Sequence, residues 1–336
     1  MSAFAQGWIL SRTLAAFFAI ALVLYGSRTA LRLLRSWRVG ATNEGQLVLQ
    51  RRAELVATLV AAGLGLTLLG LVITLVGADR QSHTIHGAMC AYGVFSGTEG
   101  GFLSVGLSFG TALACAVWLV MHRFELRLRT PTFTRAKFLA LFALAPLVVT
   151  DGLVFVRFAS RLDLSANATC CSASLGGGGA DVFGTSGGGG QLFFGVFIAA
   201  ALVTVALLLA GVRYRSAHYL AALSGGAALV TGLLATMRYV APHAYETPHH
   251  TCPFCLLHGI YAPFGWSLLA AFFVGVSLST SAAVLAFLGR RAGEPEVTLA
   301  ARKVLARRGA LAWAAAALLA AAPVLRYLIL TGTPLL

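Results

Sequence analysis

Eight stretches of the chain carry Leu, Ala, Val and Phe in unbroken runs, at approximately residues 8–26, 54–77, 102–121, 138–156, 191–212, 219–240, 265–288 and 310–330. Each is close to the roughly 20 residues that an α-helix needs to cross a hydrocarbon core about 30 Å thick. A strand of a closed β-barrel would instead alternate apolar and polar positions over about ten residues. The pattern therefore predicts an all-α, polytopic membrane helix bundle of about eight transmembrane helices. It reads as a single membrane domain over residues 1–336, interrupted by a flexible Gly-rich outer loop at 157–190.

Composition strengthens this reading. Of the 336 residues, 58% are hydrophobic and 11% charged, and the mean hydropathy is +0.84. A soluble domain carries about a quarter charged residues, so the natural surroundings of this chain are a lipid bilayer. The formal charge of +14 points to topology rather than to nucleic acid. Nineteen of the 25 Lys and Arg residues fall in alternate loops, at 27–53, 122–137, 213–218 and 289–309. The positive-inside rule makes those loops cytoplasmic and places both termini outside, as expected for a multi-pass protein of the inner (plasma) membrane. The first run lacks Lys or Arg before Trp8 and is Arg-rich after Gly26. That is the reverse of a secretory signal, so the run is expected to remain as an anchor.

Two basic segments extend the picture on the cytoplasmic side. In residues 28–38, Arg28, Arg32, Arg35 and Arg38 share one helical arc, with Ala30, Leu33, Leu34 and Trp37 opposite, and residues 297–308 are similar. Both read as amphipathic helices lying at the headgroups.

The rare polar residues gather on the opposite side. Cys90, Cys170, Cys171, Cys252 and Cys255 fall in outer loops or at helix junctions, whereas Cys115 lies inside the third span as a small apolar filler. The strongest motif is HHTCPFCLLH, from His249 to His258. Thr251 or Cys252 can cap a helix that has Pro253 at its first position and runs into the seventh span. Cys252, Cys255 and His258 would then share one face, with His249 and His250 close by. A thiol at a helix N-terminus near imidazolium groups has a stabilised thiolate, which suits it to exchange chemistry. A c-type haem site is excluded, because Leu256 stands where its histidine must follow the second Cys.

The stretch CPFCLLHGIYAPFGW, residues 252–266, resembles the membrane-helix redox pair of the bacterial disulfide-generating quinone reductases and of the vitamin K epoxide reductases. The resemblance covers these fifteen residues, of which Cys252 and Cys255 match the pair. It implies that the two cysteines pass electrons to a quinone beside the helix while a second outer pair exchanges with a periplasmic thioredoxin-like partner.

Two further groups can join that chemistry. The vicinal Cys170 and Cys171 precede the Gly runs of the fourth loop, a flexible tether that can carry them toward the seventh span. They form a strained, reducible disulfide or offer two thiolates to a soft metal; alternatively one of them staples to Cys90. In HTIHGAMC, His83, His86 and Cys90 would line one face if helical, although Gly87 weakens a helix there, and would suit zinc or copper. Separately, Asp151 lies about 21 Å along its helix from Lys137, within the outer half of the fourth span. With Arg12, Arg157 or Arg326 as partner, it is either an interhelical ion pair or a proton relay.

Three functions follow as expectations. The first is thiol–disulfide exchange through Cys252 and Cys255, with Cys170, Cys171 or Cys90 relaying and a quinone as acceptor. The second is copper or zinc handling through His83, His86, Cys90, His249, His250, Cys252, Cys255 and His258, with transfer to a metal chaperone. The third is a non-catalytic subunit of a larger membrane complex.

Overall fold

A computed structural model describes residues 3–36, 44–128, 132–164, 189–248, 250–289 and 294–335. Among these residues the chain is helical with no strand, and eight helices are long and apolar enough to cross a membrane. The long helices are α1 (Gly7–Ser36), α2 (Glu44–Ser82), α4 (Gly101–Glu125), α5 (Thr134–Arg161), α6 (Gly190–Ala210), α7 (Ala217–Ala235), α9 (Ala262–Leu288) and α10 (Pro295–Thr331). Two short helices, α3 (Ala91–Ser96) and α8 (Ala241–Tyr245), complete the set, and α8 continues the span that α7 begins. Large apolar side chains such as Phe17, Leu69, Leu153, Leu223 and Leu318 are exposed along the spans. Surface of this kind is stable against lipid tails and costly against water.

The helices outrun the apolar runs. Helix α1 continues unbroken through Arg28, Arg32 and Arg35, and α10 includes residues 297–308. Both basic segments are continuous with the helix of the neighbouring span, because Arg and Leu favour helix as well outside the core as within it, while Trp37 and Arg38 lie outside the described residues. Arg28, Arg32 and Arg35 are exposed while Ala30 and Leu33 are buried, so the amphipathic division itself is present. Likewise α5 runs on to Arg161, so 157–161 is helix and the loop expected from 157 begins after it.

Two compact units divide the chain. The first comprises Met1–Ala78, Phe95–Leu164 and Phe287–Ala301. Its helices approach closely at small residues, which substitutes for a hydrophobic driving force inside lipid. Gly63 faces Ala19 and Leu22, and Gly152 faces Ile20. Trp8 closes one end, edge-on to Phe155 at 6.2 Å and lying over Gly77.

The second unit comprises Asp79–Val94, Ser165–Ala286 and Arg302–Leu336. Phe197, Phe272 and Trp313 form its central aromatic run, and Trp313 donates its indole N–H to Ser279 Oγ at 3.1 Å. Between α7 and α8 the helix widens to π geometry over Thr236–Val240. Pro242 is the physical cause: it has no N–H for the carbonyl four residues back, and its ring crowds that carbonyl.

Candidate functional site

The second unit brings Cys90, Cys252 and Cys255 together. The three sulfurs lie within 4.8 Å of one another, with Cys90 Sγ 3.6 Å from Cys252 Sγ and 3.4 Å from Cys255 Sγ. All three are buried, and Tyr92, Tyr245 and Phe254 pack around them.

Local backbone chemistry explains how CPFC presents both thiols to one side. Pro253–Leu257 is a 3₁₀ turn with Cys252 as its extended N-cap. In that geometry residues i and i+3 eclipse, so Cys252 and Cys255 point the same way. The expected continuous helix into the seventh span is therefore corrected. The turn stops at His258, which is extended, and Gly259 adopts φ +58 before α9 begins at Ala262. A left-handed residue ends helical propagation and is cheap only for glycine. His258 consequently leaves the thiol face. Cys255 carbonyl oxygen accepts both the His258 N–H at 3.0 Å and the Tyr245 hydroxyl at 2.7 Å, which fixes the second cysteine.

The turn is also anchored from below. A Cβ placed on Gly265 would lie 2.1 Å from Leu256 carbonyl oxygen. Gly265→Ala must therefore displace the turn that carries Cys255. In a Cys252→Ser background its expected outcome is a lowered yield of the Cys90–Cys255 cross-link under a mild oxidant, read by alkylation and peptide mapping, with the protein still eluting as a folded species. An unchanged yield would show that the turn is not held by this contact.

The neighbouring loop differs from its helical expectation. Helix α2 ends at Ser82, and residues 83–87 form turns with Gly87 at φ +80. His83 and His86 are thus exposed and do not share a face with Cys90. His83 instead packs against His258, the rings tilted by 51° with centroids 5.3 Å apart. His258 Nδ1 contacts both oxygens of Asp79, at 3.1 and 3.0 Å. The motifs do not point to the Asp79 partnership, although an acidic residue near the end of α2, four positions before His83, is a usable signal.

His250 stacks on the Tyr245 ring at 3.9 Å, one layer removed from the sulfurs. His249, Cys170 and Cys171 lie outside the described residues. Among the described residues, then, the metal-ligand set reduces to three thiols, with no imidazole in the group.

No family model, curated protein or solved structure matches the chain. The functional reading therefore rests on the residues themselves.

Asp151 belongs to the first unit. It pairs with Arg12 at 2.5 Å, both side chains fully buried, and Ser108 donates to its other oxygen. The Arg12 guanidinium also lies over the Phe155 ring, 5.0 Å from its centroid. Arg157, expected as a partner, instead faces Glu99 at the surface, as does Arg161. Six residues separate Arg157 from Asp151, which puts them more than a turn and a half apart along α5.

Proposed function

We propose that the protein is a membrane thiol–disulfide oxidoreductase whose working groups are Cys252, Cys255 and Cys90. The observation that supports this most directly is the contact of Cys90 with both members of the Cys-x-x-Cys pair. Three sulfurs at this separation can exchange which two are joined, since bonding from these contacts requires a pair to close by only about 1.5 Å.

The reaction balances as follows. A thiolate of a partner dithiol attacks the Cys252–Cys255 disulfide, forms a mixed disulfide with one sulfur and releases the other as thiolate. The second thiol of the partner then displaces the bound cysteine, so the partner leaves oxidised and Cys252 and Cys255 are dithiol. A quinone in the bilayer takes up the two electrons and two protons as the pair closes again. Cys90 shortens the circuit by accepting either sulfur as an intermediate disulfide. The distribution of basic loops supports placing the site, with both termini, on the outer side of the inner membrane, where a thioredoxin-like partner is available. The resemblance of residues 252–266 to quinone-linked redox pairs supports the same acceptor.

The same three sulfurs favour one second reading, a thiolate site that is three-coordinate for Cu(I) or completed by a water for zinc. One experiment separates the two. Purified protein in lipid vesicles receives dithiothreitol and a soluble quinone analogue, while thiol labelling follows Cys252 and Cys255. Redox exchange predicts that both residues alternate between labelled and protected states as quinone is reduced. Thiols that never change state, accompanied by stoichiometric bound metal, would replace this reading with the second.

A further inference from the structure

We propose that the buried face of α4, together with Arg12 and Asp151, forms a proton path through the first unit, independent of the thiol chemistry. Along α4 the residues Ser104, Ser108, Thr111, Cys115, His122 and Glu125 recur at steps of three and four, or seven where Trp118 intervenes, and all are buried. That spacing keeps them on one face. From Ser104 to Glu125 the file is about 31 Å long at 1.5 Å per residue, the thickness of the hydrocarbon core.

Each end of the file has a buried carboxylate. Near one end stand Asp151, Arg12 and Ser108. Near the other, Glu125 accepts from Lys137 and, at 2.6 Å, from Thr134 Oγ1, while Lys137 Nζ lies 3.4 Å from His122 Nδ1. Trp118 donates its indole N–H to Lys137 carbonyl oxygen at 3.0 Å, which holds α4 and α5 together between the two clusters.

The decisive observation is what two hydroxyls on this face do not do. A serine or threonine inside a membrane helix ordinarily returns its proton to the carbonyl four residues back, as Thr67 does to Gly63 and Thr74 to Gly70 on α2. Ser104 Oγ and Thr111 Oγ1 make no such bond, and neither has any other protein partner. Their residues are 0% and 1% exposed. Arg12 Nε, on a residue 1% exposed, is likewise without a partner. Buried polar atoms of this kind are satisfied by ordered water, and Ser104 and Thr111 flank Ser108, which touches Asp151. Gly70 keeps the room: a Cβ there would lie 2.9 Å from Arg12 Cζ and Nε.

Such a file suits a proton rather than a metal cation. Arg12 neutralises Asp151, and the remaining groups are too few to replace the oxygen shell of a hard cation. A proton needs only alternate donors and acceptors. Water beside Thr111 delivers it to Asp151, whose neutralisation loosens Arg12, and Asp151 releases it to water beside Ser104. One proton enters and one leaves, with no other net change.

The full chain is reconstituted in vesicles containing a trapped pH dye, and a potassium diffusion potential is imposed with valinomycin. Wild type is expected to change internal pH several-fold faster than protein-free vesicles, and Asp151→Asn to return the rate to that background. Thr111→Val keeps the ion pair and the side-chain shape but removes the hydroxyl, and it should cut the rate several-fold. Thr150→Val, on the exposed side of α5, should leave it unchanged. Wild-type vesicles no faster than empty ones, or Thr111→Val conducting at the wild-type rate, would overturn the proposal.

Discussion

In membranes carrying Cys252→Ser, mild oxidation should join Cys90 to Cys255, and in membranes carrying Cys255→Ser it should join Cys90 to Cys252. The near-equal distances of Cys90 from both sulfurs, 3.6 and 3.4 Å, make either bond accessible once its competitor is gone. Quinone reduction should nevertheless fall to background in both variants. A serine hydroxyl is not ionised near neutral pH and cannot close a disulfide, so the pair proposed to pass electrons to the acceptor is lost. Peptide mapping after alkylation identifies the bridged residues, and absorbance of the quinone analogue gives turnover. Cys90→Ser separates relay from acceptor chemistry: Cys252 and Cys255 should still cycle with dithiothreitol, while rearrangement among three sulfurs disappears. A Cys90 that remains fully alkylated in both single variants would remove it from the mechanism.

The second large effect concerns the ion pair inside the first unit. Asp151→Asn leaves the Arg12 charge buried without a counter-ion, at an expected cost of about 3–5 kcal/mol. Replacing both partners by apolar residues, Arg12→Met with Asp151→Leu, should recover most of that loss, since the pair itself carries a desolvation penalty. Glu99→Gln supplies the contrast, because Glu99 meets Arg161 and Arg157 at the exposed surface, and such contacts contribute about 0–1 kcal/mol. Unfolding midpoints in detergent, with and without salt, provide the comparison. If Asp151→Asn proves no more harmful than Glu99→Gln, the buried pair is not what joins α1 to α5.

The eight spans were legible because lipid imposes a length and a composition that few other environments require, and runs such as 54–77 satisfy both. Their ends were not, since helix continues wherever backbone hydrogen bonds allow, whatever the hydropathy. Arg28 and Arg35 therefore lie in α1 and Arg157 in α5. The common side of Cys252 and Cys255 was legible from an i, i+3 spacing that α and 3₁₀ geometry share. The place of His258 was not, because it depends on whether Gly259 takes positive φ, a choice made by tertiary packing. Gly87 similarly directed His83 and His86 away from Cys90. That Cys90 meets a pair 162 and 165 positions away is a property of chain topology with no local trace. For Asp151 the sequence offered three arginines, and helix geometry selected Arg12.

That selection sets an order of events during biosynthesis. Arg12 and Asp151 are 139 residues apart, so the ribosome delivers the cation long before its anion exists. A lone Arg raises the insertion free energy of a nascent membrane helix by up to about 2.5–3.5 kcal/mol at the bilayer centre and by less toward the helix ends. Arg12 stands only five residues into α1, so its guanidinium can stay at the headgroups until α5 emerges. The seating of Arg12 beside Asp151 thus awaits synthesis of the fourth span.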